Sequence, residues 1–274
     1  MNTILHDVTL FLVFLAMFLG CPLMAGEVPV GDFPGASATI APDHNPLNAE
    51  GAAAASGMAS DSKKTASGPA LIRVNVFAIL STEIEEQVKL FSTIMKEQLG
   101  LETFAQKGFQ VHCTLYMTSY LPESLDKIKT EIASLSAGQR SFEVQTTGLM
   151  LTKNDWLFLN VEKNKNLKEL CEKVVKAIYT MKAETIPVPE WLKEYPEKLT
   201  SFKVYGSPNV FDDYEPHLTL IAKGDVGKLT NFMVLSKSND ALSKAVNGRL
   251  IGIGIGLADE QGQVEKPLVT YPLR

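Results

Sequence analysis

The sequence predicts an α+β fold of two similar lobes whose antiparallel sheets face a central cleft. Three observations carry that expectation. From Leu71 onward, β-rich runs and amphipathic helical segments follow the order strand–helix–strand–helix–strand, and that order occurs twice without a visible sequence repeat. The chain closes on a hairpin pattern, Arg249–Ala258 turning at Asp259–Gln263 into Pro267–Tyr271. The middle strands of the two units, starting near Val111 and Pro216, both carry His-x-Thr-Leu. Helices packed on one side of such sheets give two layers around a core.

Ile72–Leu80 (IRVNVFAIL) is rich in β-branched and apolar residues. Glu83–Leu99 places Ile84, Val88, Phe91, Ile94, Met95 and Leu99 on one helical face. Gln110–Met117 reads as a strand, and Pro122 opens a helix through Leu135 with Leu125, Ile128, Ile132 and Leu135 inward. Phe142–Leu151 and Trp156–Val161 flank the turn-like Lys153-Asn154-Asp155 and form a hairpin. Leu167–Met181 is a helix carrying Leu170, Val174, Ile178 and Met181. Residues 186–213 break the rhythm with Pro187, Pro189, Pro196 and Pro208, and read as a long ordered insertion or lid. The strand Pro216–Ala222 and a weak helix around Lys228–Leu242 lead into the closing hairpin.

The front of the 274-residue chain obeys different rules. Val8 to Leu19 (VTLFLVFLAMFL) is shorter than the roughly 20 apolar residues a membrane span needs, and fits the apolar region of a signal peptide over residues 1–26. Phe18-Leu19-Gly20-Cys21 resembles a lipobox that would put a lipid on Cys21; cleavage after Ala25, and an uncleaved anchor or buried N-terminal helix, are the other readings. Residues 27–70 are rich in Gly, Ala, Ser, Pro and Asp, include Gly51-Ala52-Ala53-Ala54-Ala55-Ser56-Gly57, and read as a flexible linker. An exported domain at 71–274, periplasmic, lipid-anchored or secreted, is the expectation, with membrane contact only through the N-terminal segment or its lipid. Of the net charge of −5, all but one unit falls in the first 70 residues, so the domain is nearly neutral. A neutral domain has no broad cationic footprint for a long nucleic acid, and a small nucleotide or RNA end is the expected partner of a monomer. Cys113 on a strand and Cys171 on a helix read as buried free thiols, and no Cys or His spacing matches a zinc site.

Histidine carries the chemistry. The chain has four, and His6 and His44 precede the folded region. The remaining two give His112-Cys113-Thr114-Leu115 and His217-Leu218-Thr219-Leu220; Thr at +2 in both has a chance probability on the order of one in two hundred. Along a strand, side chains alternate faces, so His112 and Thr114 share one face, as do His217 and Thr219, while Cys113, Leu115, Leu218 and Leu220 pack behind. Two imidazoles titrating near neutrality can act as base and acid on either side of a phosphorus centre, and hydroxyls can bind its oxygens. Tyr116 falls on the His112 face by the same alternation, as a substrate-binding residue of the cleft or as a core or rim tyrosine. Glu215 falls on the His217 face, to orient it or to stand in solvent. Trp191, Tyr195, Phe202, Tyr205, Phe211 and Tyr214 lie in or beside the insertion, as anchors or as stacking surfaces. Gly252, Gly254 and Gly256 lack the spacing of a phosphate loop.

Over residues 71–274 this arrangement resembles the two-histidine phosphoesterase superfamily, the group of 2′-5′ RNA ligase-like proteins and cyclic nucleotide phosphodiesterases. The resemblance rests on the two His-x-Thr-Leu strands 105 residues apart, the helix after each, and the closing hairpin ending Tyr271-Pro272-Leu273. It implies cleavage of 2′,3′-cyclic phosphates or related phosphodiesters without metal or cofactor. His112 and His217 would be the catalytic pair, with His217 as base and His112 as acid, and Thr114 and Thr219 would hold the phosphate. A catalytically silent nucleotide or RNA-end binding protein, and a 2′-5′ ligase-like transferase, are the alternatives.

Overall fold

The structure, a computed structural model, describes residues 70–274; the expected signal peptide, the lipobox at Cys21 and the linker lie outside the described residues. The first unit is strand β1 (Ile72–Leu80), helix α1 (Thr82–Leu99), strand β2 (Cys113–Tyr120), helix α2 (Leu125–Gly138) and strand β3 (Phe142–Leu151). The second is β4 (Leu157–Val161), α3 (Lys165–Ile178), β5 (His217–Ile221), α5 (Val226–Ser238) and β6 (Asn247–Ala258). The short helices α4 (Leu199–Tyr205) and α6 (Asp240–Ser243) and the last strand β7 (Val264–Pro272) are additions to that double pattern.

Local chemistry sets the element ends. In α1, Ile84, Val88, Phe91 and Met95 recur at helical spacing and are buried. The helix stops at Gly100, whose φ of 62° lets its N–H donate to Lys96 while Leu101 N–H reaches Met95. Asn164 and Asp225 cap α3 and α5 by accepting from Leu167 N and Lys228 N. Asp155, at φ 60°, turns β3 into β4. No helix among the described residues is long and apolar enough to cross a membrane.

All strand pairings are antiparallel, in the order β1-β2-β5-β4-β3-β6-β7, with β6 also pairing β1. Exchanging the two units leaves this map unchanged. The β1–β2 pair becomes β4–β5, β1–β6 becomes β4–β3, and the two links between units, β2–β5 and β3–β6, map onto themselves. The lobes are thus halves of one continuous ladder. The link between the middle strands is a single residue pair, Cys113 with Leu218.

The ladder also explains the glycines of β6. A Cβ on Gly254 would lie 2.3 Å from the Phe77 ring, and one on Gly256 2.3 Å from Val264 Cγ1. These positions stay bare so that β1 and β7 side chains can lie across the strand. Gly254→Ala should therefore cost about 1–3 kcal/mol of stability, the usual range for overpacking a core. Gly138→Ala, on a helix with nothing within 4 Å of the new Cβ, should be neutral or slightly stabilising. Thermal melts of both variants check this, and equal melting temperatures would refute it.

Candidate active site

The Cys113–Leu218 pair fixes the site. In antiparallel register, its neighbours set Thr114 opposite His217 and His112 opposite Thr219, all on the face away from Cys113 and Leu218. His112 and Thr219 line one crevice with Val88, Phe104, Leu218 and Leu220. Cys113 and Leu218 are both buried in the core. The Cys113 thiol is pushed up to about 11 by burial, with weaker opposition from Tyr214, so it stays protonated.

Each His-x-Thr is followed by a matched irregularity. Opposite β1, Phe77 pairs with Thr114 and Val76 with Tyr116, leaving Leu115 as an extra residue. Opposite β4, Phe158 pairs with Thr219 and Leu157 with Ile221, leaving Leu220 extra. Such bulges interrupt the alternation of faces. Leu115 and Tyr116 are accordingly both buried, as are Leu220 and Ile221. The placement of Tyr116 on the His112 face is therefore corrected. Its ring is buried in the core, and its hydroxyl donates to the Tyr205 carbonyl. Met117, opposite Asn75, resumes the half-exposed face.

The two histidines are held alike. Nδ1 of His112 lies 2.8 Å from the Gln110 carbonyl, and Nδ1 of His217 lies 2.8 Å from the Glu215 carbonyl. A carbonyl only accepts, so both Nδ1 atoms carry the proton and each neutral ring keeps its lone pair on Nε2. Strand β2 begins at Cys113, not at Gln110. His112 packs against Phe77, ring centres 5.1 Å apart, and His217 stacks on Phe158 at 4.0 Å. Phe77 and Phe158 are equivalent, since each pairs with the Thr of its own motif.

Beyond this frame the halves differ. Asn75 Nδ2 stands 3.3 Å from His112 Nε2, 3.0 Å from Thr114 Oγ1 and 3.2 Å from the Gly262 carbonyl. Arg73 Nη1 donates at 3.1 Å to the carbonyls of Asp259 and Glu260, tying the β6–β7 turn over this side. The position two residues before Phe158, matching Asn75, is Trp156, edge-on to Phe158 at 6.0 Å. On the His217 side stands the insertion. Asn209 Oδ1 accepts from Glu215 N at 2.8 Å, and Lys198 Nζ lies 2.7 Å from the Glu215 carboxylate. Glu215 thus orients His217 through its backbone, while its carboxylate goes to Lys198. Thr118 Oγ1 donates to the Gly206 carbonyl and Tyr214 hydroxyl to the Thr114 carbonyl, at 2.9 and 3.1 Å. With Phe202 and Tyr214 buried and Tyr205 packed on Tyr179 and Phe211, these aromatics anchor the segment; Trp191 alone is well exposed, at 45%.

Asn75, Phe77, Phe158 and Gly262 are site residues that sequence reasoning missed. A lone Asn in an apolar strand was the available signal for Asn75. Nothing marks Gly262, which contributes only a carbonyl. Among the described residues no group of three or more His, Cys, Asp or Glu is placed to hold a metal ion.

Burial sets the charge state. It lowers His112 from the usual 6.5 to about 4; the Gln110 carbonyl and Asp259 oppose this, and a charge on His217 adds to it. His217 is lowered too, mainly by burial, against the Glu215 carbonyl. Both imidazoles are therefore neutral at pH 7. A buried neutral His contributes stability that is full above its unfolded value, near 6.5, and lost as pH falls toward its folded value near 4. Within that window one such group costs up to about 1.4 kcal/mol per pH unit. Urea unfolding from pH 7 to 4.5 should show the loss, and His112→Phe should flatten it; an unchanged slope would contradict this charge state.

Residues 105–229 match the family model of the 2′-5′ RNA ligase superfamily. Solved structures with a similar course include TT0787 of Thermus thermophilus at 15% identity and a TM-score of 0.45, covering 74% of this chain and 98% of that one. Another is E. coli LigT complexed with 3′-AMP, at 13% identity and 0.45, covering 74% and 99%. LigT complexed with phosphate gives 12% and 0.43, covering 74% and 98%. No curated protein matches the chain. The segment that matches the 2′-5′ RNA ligase superfamily contains both His-x-Thr-Leu strands, in keeping with the two-histidine phosphoesterases that these motifs resemble.

Proposed function

We propose that this protein is an exported, metal-independent phosphodiester hydrolase that opens 2′,3′-cyclic phosphates or cleaves short related RNA or nucleotide phosphodiesters. The observation that carries this reading is the single β2–β5 pair, which sets two imidazoles and two threonine hydroxyls on one face of two strands. Those four groups suit an in-line hydrolysis. One imidazole takes the proton of the attacking water as the new P–O bond forms. The other gives a proton to the ribose oxygen as the old P–O bond breaks. Thr114 and Thr219 donate to the non-bridging oxygens.

Electrostatics supports an anionic substrate. A phosphodiester brings one negative charge between two neutral rings and raises the affinity of both for a proton. Binding should thus take up the proton that the acid later delivers. Activity should trace a bell against pH. His112→Ala and His217→Ala should each lower kcat about 10²–10⁴-fold. Thr114→Val and Thr219→Val should cost less, partly in KM, because a neutral donor also holds the ground-state phosphate. EDTA should have no effect. A panel of nucleoside 2′,3′-cyclic phosphates measures all of this. Tight binding without product would reassign the site to a silent nucleotide-binding protein, and loss of activity in EDTA would end the mechanism.

Export rests on the short apolar run at Val8–Leu19 and the polar segment after it. Intact mass of the protein from its native host should show a mature chain starting after residue 20 or 25. A soluble cytoplasmic chain retaining Met1 would refute export.

A further inference from the structure

We infer that the two imidazoles are not interchangeable: His112 is the base and His217 the acid, and Asn75 is the positioning residue that separates their roles. This rests on the hydrolase reading and reverses the order that the family resemblance implies. The Asn75 side chain is fully buried. Its amide orientation is fixed by chemistry, because the Gly262 carbonyl can only accept and so must face Nδ2, at 3.2 Å. The same nitrogen is then aimed at Thr114 Oγ1 and His112 Nε2. A protonated His112 would point Nε2–H at an amide N–H, whereas the neutral ring offers its lone pair. Two amide hydrogens serve three acceptors there, and the contact to Nε2, at 3.3 Å, is the longest. The lone pair is held in place yet weakly engaged, as suits a general base.

His217 stands in other surroundings. Among the described residues no donor meets its Nε2, and its ring lies against the Phe158 face at 4.0 Å, which favours a cation. Where the His112 half has an amide, the His217 half has Trp156. The charged groups facing each ring leave the difference intact. Around His112 they are Asp259 and His217, and an oxygen of the Asp259 carboxylate accepts at 2.8 Å from the N–H groups of both Gln261 and Gln263. Around His217 they are Glu215 and Lys198, which pair with each other. Burial lowers both rings, so it is the Asn75 amide beside His112, with no counterpart beside His217, that directs the first proton to His217.

The test uses the full chain with ¹³C/¹⁵N-labelled histidine, the resonances assigned with His112→Asn and His217→Asn. In the unmodified protein His217 should titrate above His112, and His112 should show the ¹⁵N signature of a bare Nε2. Asn75→Asp puts a carboxylate beside His112 and should raise its midpoint above that of His217. Asn75→Leu should leave the order but broaden the tautomer signature. An unmodified protein in which His112 titrates at or above His217 would overturn the inference, as would Asn75→Asp with an unmoved His112; neither outcome depends on turnover. A second arm separates the roles by leaving group. On a p-nitrophenyl phosphodiester, which departs without a proton, His217→Ala should lose at least about tenfold less activity than on a cyclic phosphate, and His112→Ala should lose as much on both. The reverse pattern overturns the assignment of roles while leaving the hydrolase reading intact. Absence of all turnover, with the titration as expected, would refute that reading and leave the proton on His217.

Discussion

One backbone pairing holds the site together. Strands β2 and β5 meet at Cys113 and Leu218, and that contact decides which side chains of the two motifs face each other. A shift of one residue would send His112 or His217 into the core and bring Cys113 or Leu218 out. The surrounding ladder guards the register from both sides. β1 fastens β2, β4 fastens β5, and β3–β6 closes the ring at its far end. The apolar residues between the histidines and threonines are therefore as much a part of the site as the polar ones.

The same packing limits the charge the site can hold. Two imidazoles on neighbouring strands, His112 buried and His217 half-buried, resist protonation, and their Nδ1–carbonyl bonds fix the tautomer without supplying a countercharge. The resting site is neutral, and the countercharge must come with the ligand. That condition favours phosphodiesters over neutral esters on electrostatic grounds alone. A nearly neutral domain needs no cationic surface to attract them if the cleft itself answers the anion by taking up a proton.

What the sequence showed was what is local. Helix and strand order, the two motifs and the closing hairpin follow from periods of 3.6 and 2 residues within short windows. The face of Tyr116 did not, because the bulge at Leu115 shows only when β2 is laid against β1. Leu at +3 in both motifs was visible, but its part as the extra residue of a bulge was not. Asn75 was hidden for a similar reason, since its partners lie 37, 39 and 187 residues along the chain. Proline density in residues 186–213 left lid and ordered insertion equally open. The bonds of Asn209, Thr118 and Tyr214, each across several residues or to another strand, tie that segment to the frame.

The strand map that survives exchange of the two halves is the map of an isologous dimer, written once into a single polypeptide. In a true homodimer every substitution is made twice, and the two copies of a residue cannot diverge. Fusion removes that bond. The halves of this chain keep the backbone correspondence down to the bulges. Yet Asn75 stands where its counterpart is Trp156, and residues 186–213 enlarge only the second half. Covalent linkage is what permits a symmetric scaffold to hold two identical imidazoles in unequal surroundings, an asymmetry that the proposed hydrolysis, with its distinct entering and departing oxygens, would use.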